Sequence, residues 1–379
     1  MRPEFIVAEK EFRDHLASKR FLAIFVILLL LSLYGAYTGL QSYQQQLNQY
    51  KNPQAISDPT TKSMVESLQE QINDAGARGD SPQDIQSLKD ELNSLTQVPM
   101  PSILIIFRGI VLYFTIVGMF LGAVMGFDRI SAEKEEGSIK FLAISPLYRD
   151  AIINGKTIGA IATLAVALAA SILLIIAIAI FQGVIPGFDD LLRIGLFFLV
   201  ALVYCTVFFG IAMMLSVIVK TTSLAAICTG GAIILIIGYT VMSLVIASFV
   251  AASAAGTPPP GYYDAMTNTT NVSGLLENKA FMNYTMNEEM SLIQTEDTLT
   301  TIMPTSDFGG LAGLGPGGIA YSILSTEGNS LSMNVGKPVT QVSLLDSLAS
   351  VWVKILIFLV YLIVPFAISY VVFMRLDIR

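Results

Sequence analysis

One histidine, one tryptophan and two cysteines are present among 379 residues, and Asp, Glu, Lys and Arg together make up only 13%. Each shortage removes a class of function. The single imidazole, His15, cannot build a histidine metal cluster or a His-Glu-x-x-His protease site, so no metal site is expected on those grounds. Cys205 and Cys228 both sit inside apolar runs, which leaves the polar segments without a disulfide framework. Soluble domains are roughly a quarter charged, so the low charge excludes an ordinary soluble enzyme and a nucleic-acid binder. Gly155-Lys156-Thr157 resembles the end of a phosphate-binding loop, but Asp150 stands where its first glycine is required. No catalytic constellation is expected in this chain.

What the sequence does have is apolar length. Hydrophobic residues are 54% of the chain and mean hydropathy is +0.66. The excess is gathered into six runs, near 21–40, 103–127, 157–181, 194–219, 224–252 and 351–374, each meeting the ~20 residues a spanning helix needs. The first is longer than a signal-peptide core, and Gln41-Ser42-Tyr43-Gln44 after it offers no cleavage site, so it reads as a retained span. The expected fold is an all-α polytopic membrane protein with six transmembrane helices. Its segments are a leader (1–20), the first span (21–40), an outer segment (41–102), the second span (103–127) and a loop (128–156). Spans three to five (157–252), a large outer segment (253–350) and the sixth span with its tail (351–379) follow.

Charge sets the orientation. Thirteen of the 22 Lys and Arg fall in the leader, 128–156, 220–223 and 375–379. The side richer in Lys and Arg stays in the cytoplasm, so both termini are expected there, in the cell membrane. The two long outer segments are acidic, as an exterior depleted in bases would be.

Within the leader, Phe5, Ala8, Phe12 and Leu16 recur at helical spacing while Glu9, Lys10, Arg13 and Asp14 fall elsewhere on the wheel, which predicts a helix lying in the inner interface. In 41–102, Val65, Leu68, Ile72 and Ala75, then Ile85, Leu88, Leu92 and Leu95, predict a helical hairpin over 62–75 and 82–96, with Ser81-Pro82-Gln83-Asp84 as the second start signal. Gly118, Gly122 and Gly126 on the second span, like Gly35 and Gly39 on the first and Gly155 and Gly159 on the third, let backbones approach closely in lipid. Residues 308–324 are apolar again but too broken by glycine and proline to span; a buried loop with a short helix is expected.

Two cations enter the runs near their outer ends, Arg108 and Lys354. They either snorkel to the interface or hold an anionic group. Met282, Met286 and Met290 have the spacing of either a soft-metal face or an ordinary helix core. Three Asn-x-Ser/Thr acceptors, Asn268, Asn271 and Asn283, lie in the last outer segment.

The loop after the second span is the most informative stretch: Asp128-Arg129-Ile130-Ser131-Ala132-Glu133-Lys134-Glu135-Glu136-Gly137-Ser138, then Leu142, Ser145-Pro146, Arg149 and Gly155-Lys156. By itself it is a charged helical extension, a glycine break, a short amphipathic helix and a new start; it either couples to a motor subunit or merely connects. It resembles the first cytoplasmic loop of type-2 ABC exporter permeases. Ala8-Glu9-Lys10-Glu11-Phe12-Arg13 with Ser18-Lys19-Arg20, and six spans with both ends inside, are similar to that family too. The resemblance implies a membrane permease subunit exporting a hydrophobic or amphipathic solute, two copies of it, and an ATP-binding cassette subunit that holds ATP and Mg. It places Glu133, Lys134, Glu135, Gly137, Ser138, Leu142, Arg149 and Lys156 on the coupling contact. Glu133 and Glu135 diverge by roughly 200° on a helix, so one is expected to meet the partner and the other to brace the loop, on Arg149 or Lys156. The large outer segments fit a second reading, a mechanotransmitter that delivers ATP work to an envelope partner.

Overall fold

The computed structural model describes residues 3–51, 59–78, 85–89, 92, 100–137, 149–260, 279–300, 303–309, 318–325 and 343–375. All their regular structure is helical. A leader helix α1 (Pro3–Ala17) precedes α2 (Lys19–Lys51) and α3 (Pro59–Arg78). The central region holds α4 (Leu104–Gly126), the short α5 (Ser131–Glu135), α6 (Arg149–Phe181), α7 (Phe188–Ile218) and α8 (Thr222–Ala255). Then come α9 (Lys279–Thr300), the six-residue α10 (Pro304–Gly309) and α11 (Ile319–Leu324), α12 (Leu344–Ser350) and α13 (Trp352–Met374). Six of them, α2, α4, α6, α7, α8 and α13, are long and apolar enough to cross a membrane.

The helices run past the apolar runs, because backbone hydrogen bonding continues through polar residues while hydropathy stops at them. Helix α2 goes on to Lys51, eleven residues beyond the run that ends at 40. Residues 149–156, part of the loop by hydropathy, form the first turns of α6. Helix α7 starts at Phe188, which puts Arg193 on a helix instead of in a connection. Of the outer hairpin, 59–78, 85–89 and 92 are helical; the rest of its second arm lies outside the described residues, as do Asn268 and Asn271.

Helices α4 and α7 form the centre. Phe107, Ile110, Phe114, Phe197, Tyr204, Phe208 and Phe209 are nearly fully buried between them and their neighbours. A Cβ on Gly122 would stand 2.1 Å from Cys205 O, one on Gly126 2.5 Å from Phe209 O, and one on Gly118 3.1 Å from Cys205 Sγ. The glycine face of α4 thus lies directly on the α7 backbone. Gly35 and Gly39 of α2 meet α4 at Ile110 and Ile106 in the same way. Gly155 and Gly159 do not face another span. They press on Val7, Ala8 and Glu11 of α1, so the leader helix is docked along the start of α6.

Candidate functional site

The end of the bundle that carries α1, the α4–α6 connection, the α7–α8 turn and the last turn of α13 holds most of the cations; it is called the basic end here. Helix α1 presents Ala8, Glu11 and His15 to the protein, each 6% exposed or less, while Phe5 is 56% exposed. Of the leader's apolar stripe, Ala8 lies in the docked face, Phe12 and Leu16 are partly buried, and Phe5 is exposed. The buried face is polar because its partners are charged.

Lys156, buried in the second turn of α6, is the hub. Its Nζ lies 2.7 Å from Glu11 Oε1 and 2.8 Å from Glu133 Oε1. Arg129 reaches Glu11 Oε2 at 3.3 Å and Asp128 Oδ1 at 3.2 Å, and Arg20 reaches Asp128 Oδ2 at 2.9 Å while lying over the Phe127 ring. Three acids face three bases across α1, α2, the 127–135 segment and α6. Burial alone would raise the Glu11 carboxyl, but Lys156 and then Arg129 more than offset it and hold Glu11 below its ordinary value. His15 is pushed down to about 3, first by burial and then by the Arg129 charge. It is neutral at pH 7, and its Nε2 has no hydrogen-bond partner.

The short helix α5 adds a second clamp. Lys134 Nζ donates to Val217 O and, at 3.1 Å, to Val219 O, the carbonyls that end α7, where a cation suits the helix dipole. Glu135 Oε2 accepts from Thr222 N at 2.9 Å, at the positive start of α8. Ser216 Oγ accepts from the Ile130 and Ser131 amides at 3.1 and 2.9 Å. Adjacent residues of one short helix thus cap both sides of the α7–α8 turn. Gly137 closes α5 with φ +72, a left-handed conformation that glycine adopts without strain.

Glu133 braces the loop on Lys156, and Glu135 turns to α8 instead of being free for a partner. Glu136 is exposed. Arg149 is the first residue of α6; its side chain, with Ser138 and Leu142, lies outside what is described. Glu11, His15 and Arg129 were not among the sequence-derived site residues. The signal for Glu11 and His15 was their spacing, three and seven residues after Ala8 on the same helix face; hydrophobic periodicity passes over the two polar residues.

At the opposite, far end, Arg108 is partly buried. Its Nε donates to Leu324 O at 3.2 Å and its guanidinium lies 5.4 Å over the Tyr321 ring. Lys354 is partly buried in the first turn of α13. Arg193, 2% exposed, donates to Asp189 Oδ2 at 2.8 Å, Ile323 O at 3.1 Å and Ser325 O at 2.9 Å. Between α6 and α13 a groove of about 490 Å³ opens near the basic end, lined by Ile153, Asn154, Thr157, Phe366 and Tyr370 among others.

A family model described as ABC-2 family transporter protein matches residues 5–378. No curated protein matches the chain. The match runs from the leader helix to the tail and includes all six spanning helices, so the chain belongs to that family, as a multi-pass membrane permease subunit of an ABC transporter.

Proposed function

We propose that this ABC-2 family permease works as a pair of copies in the cell membrane, with the basic end in the cytoplasm, and exports a hydrophobic or amphipathic solute. ATP and Mg are held by a separate ATP-binding cassette subunit. That subunit docks on 136–149, and its movement reaches the spans through α5 and Lys156. One observation carries this reading: α5 is bonded at once to the end of α7, the start of α8, α6 and, through Lys156, α1. A push on α5 cannot displace one of these helices alone. The cation bias of that end supports its cytoplasmic placement. The groove between α6 and α13, apolar with Asn154, Thr157 and Tyr370 at its cytoplasmic side, suits an amphiphile arriving from the inner leaflet. The two copies meet through α2 and α8, whose apolar faces stand exposed in the single chain: Leu30 and Tyr37 on α2, Ile227, Ile234 and Leu235 on α8.

Co-purification with the ATP-binding subunit tests the reading, together with ATP-dependent uptake of a fluorescent amphiphile into inverted vesicles. Association without uptake of any amphiphile would favour the mechanotransmitter. The feature behind that alternative is the length of α2 and α8: 33 and 34 residues are about 50 Å of helix, against a hydrocarbon core of about 30 Å. Helix α9 packs along α8, with Tyr239 Oη donating to Leu299 O at 2.7 Å.

A further inference from the structure

The turn from α6 to α7, at the far end, is tightly built on both sides. Gly183, with φ +81, ends α6. Val184 N donates to Ala179 O and Gly183 N to Ile180 O, both at 2.9 Å, the pair of bonds that closes a helix around a left-handed glycine. The Val184 side chain that follows is 6% exposed and belongs to the core. On the other side, Gly187 N donates to Asp190 Oδ2 at 2.9 Å, and Asp190 Oδ1 accepts from Ser102 Oγ at 2.6 Å. A carboxylate suits the positive start of α7, and Ser102, just before α4, ties the turn to a second element. The segment between these fixed points has little freedom to fold back on the protein.

What this turn presents is apolar. Phe181, Ile185 and Phe188 are 90%, 81% and 84% exposed, the three most exposed large apolar side chains among the described residues. Apolar surface gathered in this way marks a protein or a membrane contact. Its surroundings favour membrane. Leu173 and Ile180 on α6 and Leu199 on α7, all more than half exposed, carry the same apolar surface along two spanning helices, so the turn continues the flank that faces lipid. Depth agrees. Phe181 lies 25 residues after Lys156 on one helix, about 37 Å at the helical rise. Measured from the charged cluster at the basic end, that is past a hydrocarbon core of about 30 Å and within the ~40–45 Å that includes the headgroups. Asp189, beside Phe188, has a side chain 66% exposed; it belongs in that outer layer, because a carboxylate is costly any deeper.

We propose that the α6–α7 turn is inserted in the far leaflet, with Phe181, Ile185 and Phe188 at the boundary of headgroups and acyl chains, and that lipid is the partner of this surface. Residues 181–192 contain no Lys or Arg. The contact is therefore apolar insertion, not attraction to anionic headgroups, which needs cations. The turn sets the depth of the α6–α7 hairpin at the end away from Lys156. This inference depends neither on export nor on the pairing of copies.

The test uses the full chain with Trp352→Phe, which removes its one tryptophan, reconstituted in phosphatidylcholine vesicles. Phe188→Trp then reports on the turn, at a position exposed enough for the ring to be exchanged without repacking. Tyr50→Trp, 46% exposed near the end of α2, is the reference for water, and Leu173→Trp, 63% exposed on α6, the reference for the acyl interior. Lipids brominated near the headgroup end of the acyl chain should quench Phe188→Trp more than lipids brominated near the chain terminus. The order should reverse for Leu173→Trp, and acrylamide should quench Phe188→Trp far less than Tyr50→Trp. Acrylamide quenching equal to that of Tyr50→Trp puts the turn in water. Emission quenched by neither agent puts it against protein, whether a second copy or another segment of this chain. Either result overturns the proposal. Ile185→Trp repeats the reading from the middle of the turn, so the outcome does not hang on one variant. Adding phosphatidylglycerol to the vesicles should leave both profiles unchanged; lipid quenching that appears only with this anionic lipid overturns apolar insertion.

Discussion

Glu11 and Lys156, 145 residues apart in the chain, meet at 2.7 Å with side chains only 5–6% exposed. Taking two charges out of water costs several kcal/mol each, and the pair recovers this only through close contact and further hydrogen bonds. Here Lys156 has a second carboxylate, Glu133, and Glu11 a second cation, Arg129. The pair is valuable chiefly in what its loss would do.

Lys156→Met should cost about 3–5 kcal/mol, because it leaves Glu11 buried beside a lost partner. Glu11→Gln combined with Lys156→Met should cost clearly less than the sum of the single changes. Thermal unfolding in detergent measures both. Additive losses would mean that the two side chains do not interact.

Acid should loosen α1. His15 binds a proton near 6.5 when unfolded but only near 3 when folded, so the unfolded chain holds more protons in between and stability falls as pH drops from about 6.5 toward 3. The slope approaches about 1.4 kcal/mol per pH unit. Glu11, held low by Lys156, adds a loss of the same sign below its ordinary value of 4.5. The charges facing His15 are Arg129 from the loop, Lys156 from α6 and Glu11 from its own helix. His15→Leu should flatten the profile between pH 6.5 and 4.5 and leave below 4.5 only the loss due to Glu11. A profile identical to that of the unsubstituted protein would show that His15 titrates alike in the folded and unfolded states.

Gly122→Ala should separate α4 from α7, since its methyl would fall 2.1 Å from Cys205 O; overpacking of this kind costs about 1–3 kcal/mol or more. Gly118→Ala, whose methyl meets a movable sulfur at 3.1 Å, should cost less. Melting temperatures of the two variants give the order, and the reverse order would contradict the packing.

Gly230 and Gly231 on α8 have nothing within 4 Å of an added Cβ. In an isolated chain, Gly230→Ala would be neutral or stabilising by up to about 1 kcal/mol. If α8 joins two copies, Gly231→Leu should split the complex with little change in the stability of the single chain. Mass measurement in detergent reads the stoichiometry, and an unaffected pair would move the contact elsewhere.

Glu136→Lys should release the ATP-binding subunit while leaving melting unchanged, because Glu136 is exposed on the loop. Glu133→Gln should lower melting as well, because Glu133 holds Lys156. Pull-down alongside melting separates docking from bracing; equal effects in both assays for the two variants would refute the division.

The spans were readable in the sequence because burial in lipid writes itself as length. Residues 308–324 were readable as non-spanning for the complementary reason, too many glycines and prolines in an apolar stretch. The polar core of the basic end was not. Glu11 and His15 look like solvated residues in a leader, and only Lys156, far along the chain, makes their burial tolerable. Arg193 likewise looked like part of an outer connection, since two of its acceptors are backbone carbonyls far along the chain, which no side-chain pattern reports. Glu133 and Glu135 were separable by helical angle alone, and the structure sends them to Lys156 and Thr222.

The carbonyls that satisfy Arg193 lie 130 and 132 residues after it. A chain emerging from the ribosome therefore delivers this arginine, with Asp189 beside it, long before its two carbonyl acceptors exist. Until the last third is translated, the far half of the α4–α7 pair is unsealed and one cation waits in a half-built cleft. Arg193 gains its two carbonyl partners only once residues 323–325 have been made. A nascent chain stalled before residue 323 would present that open cleft to whatever surveys membrane proteins for unfinished work.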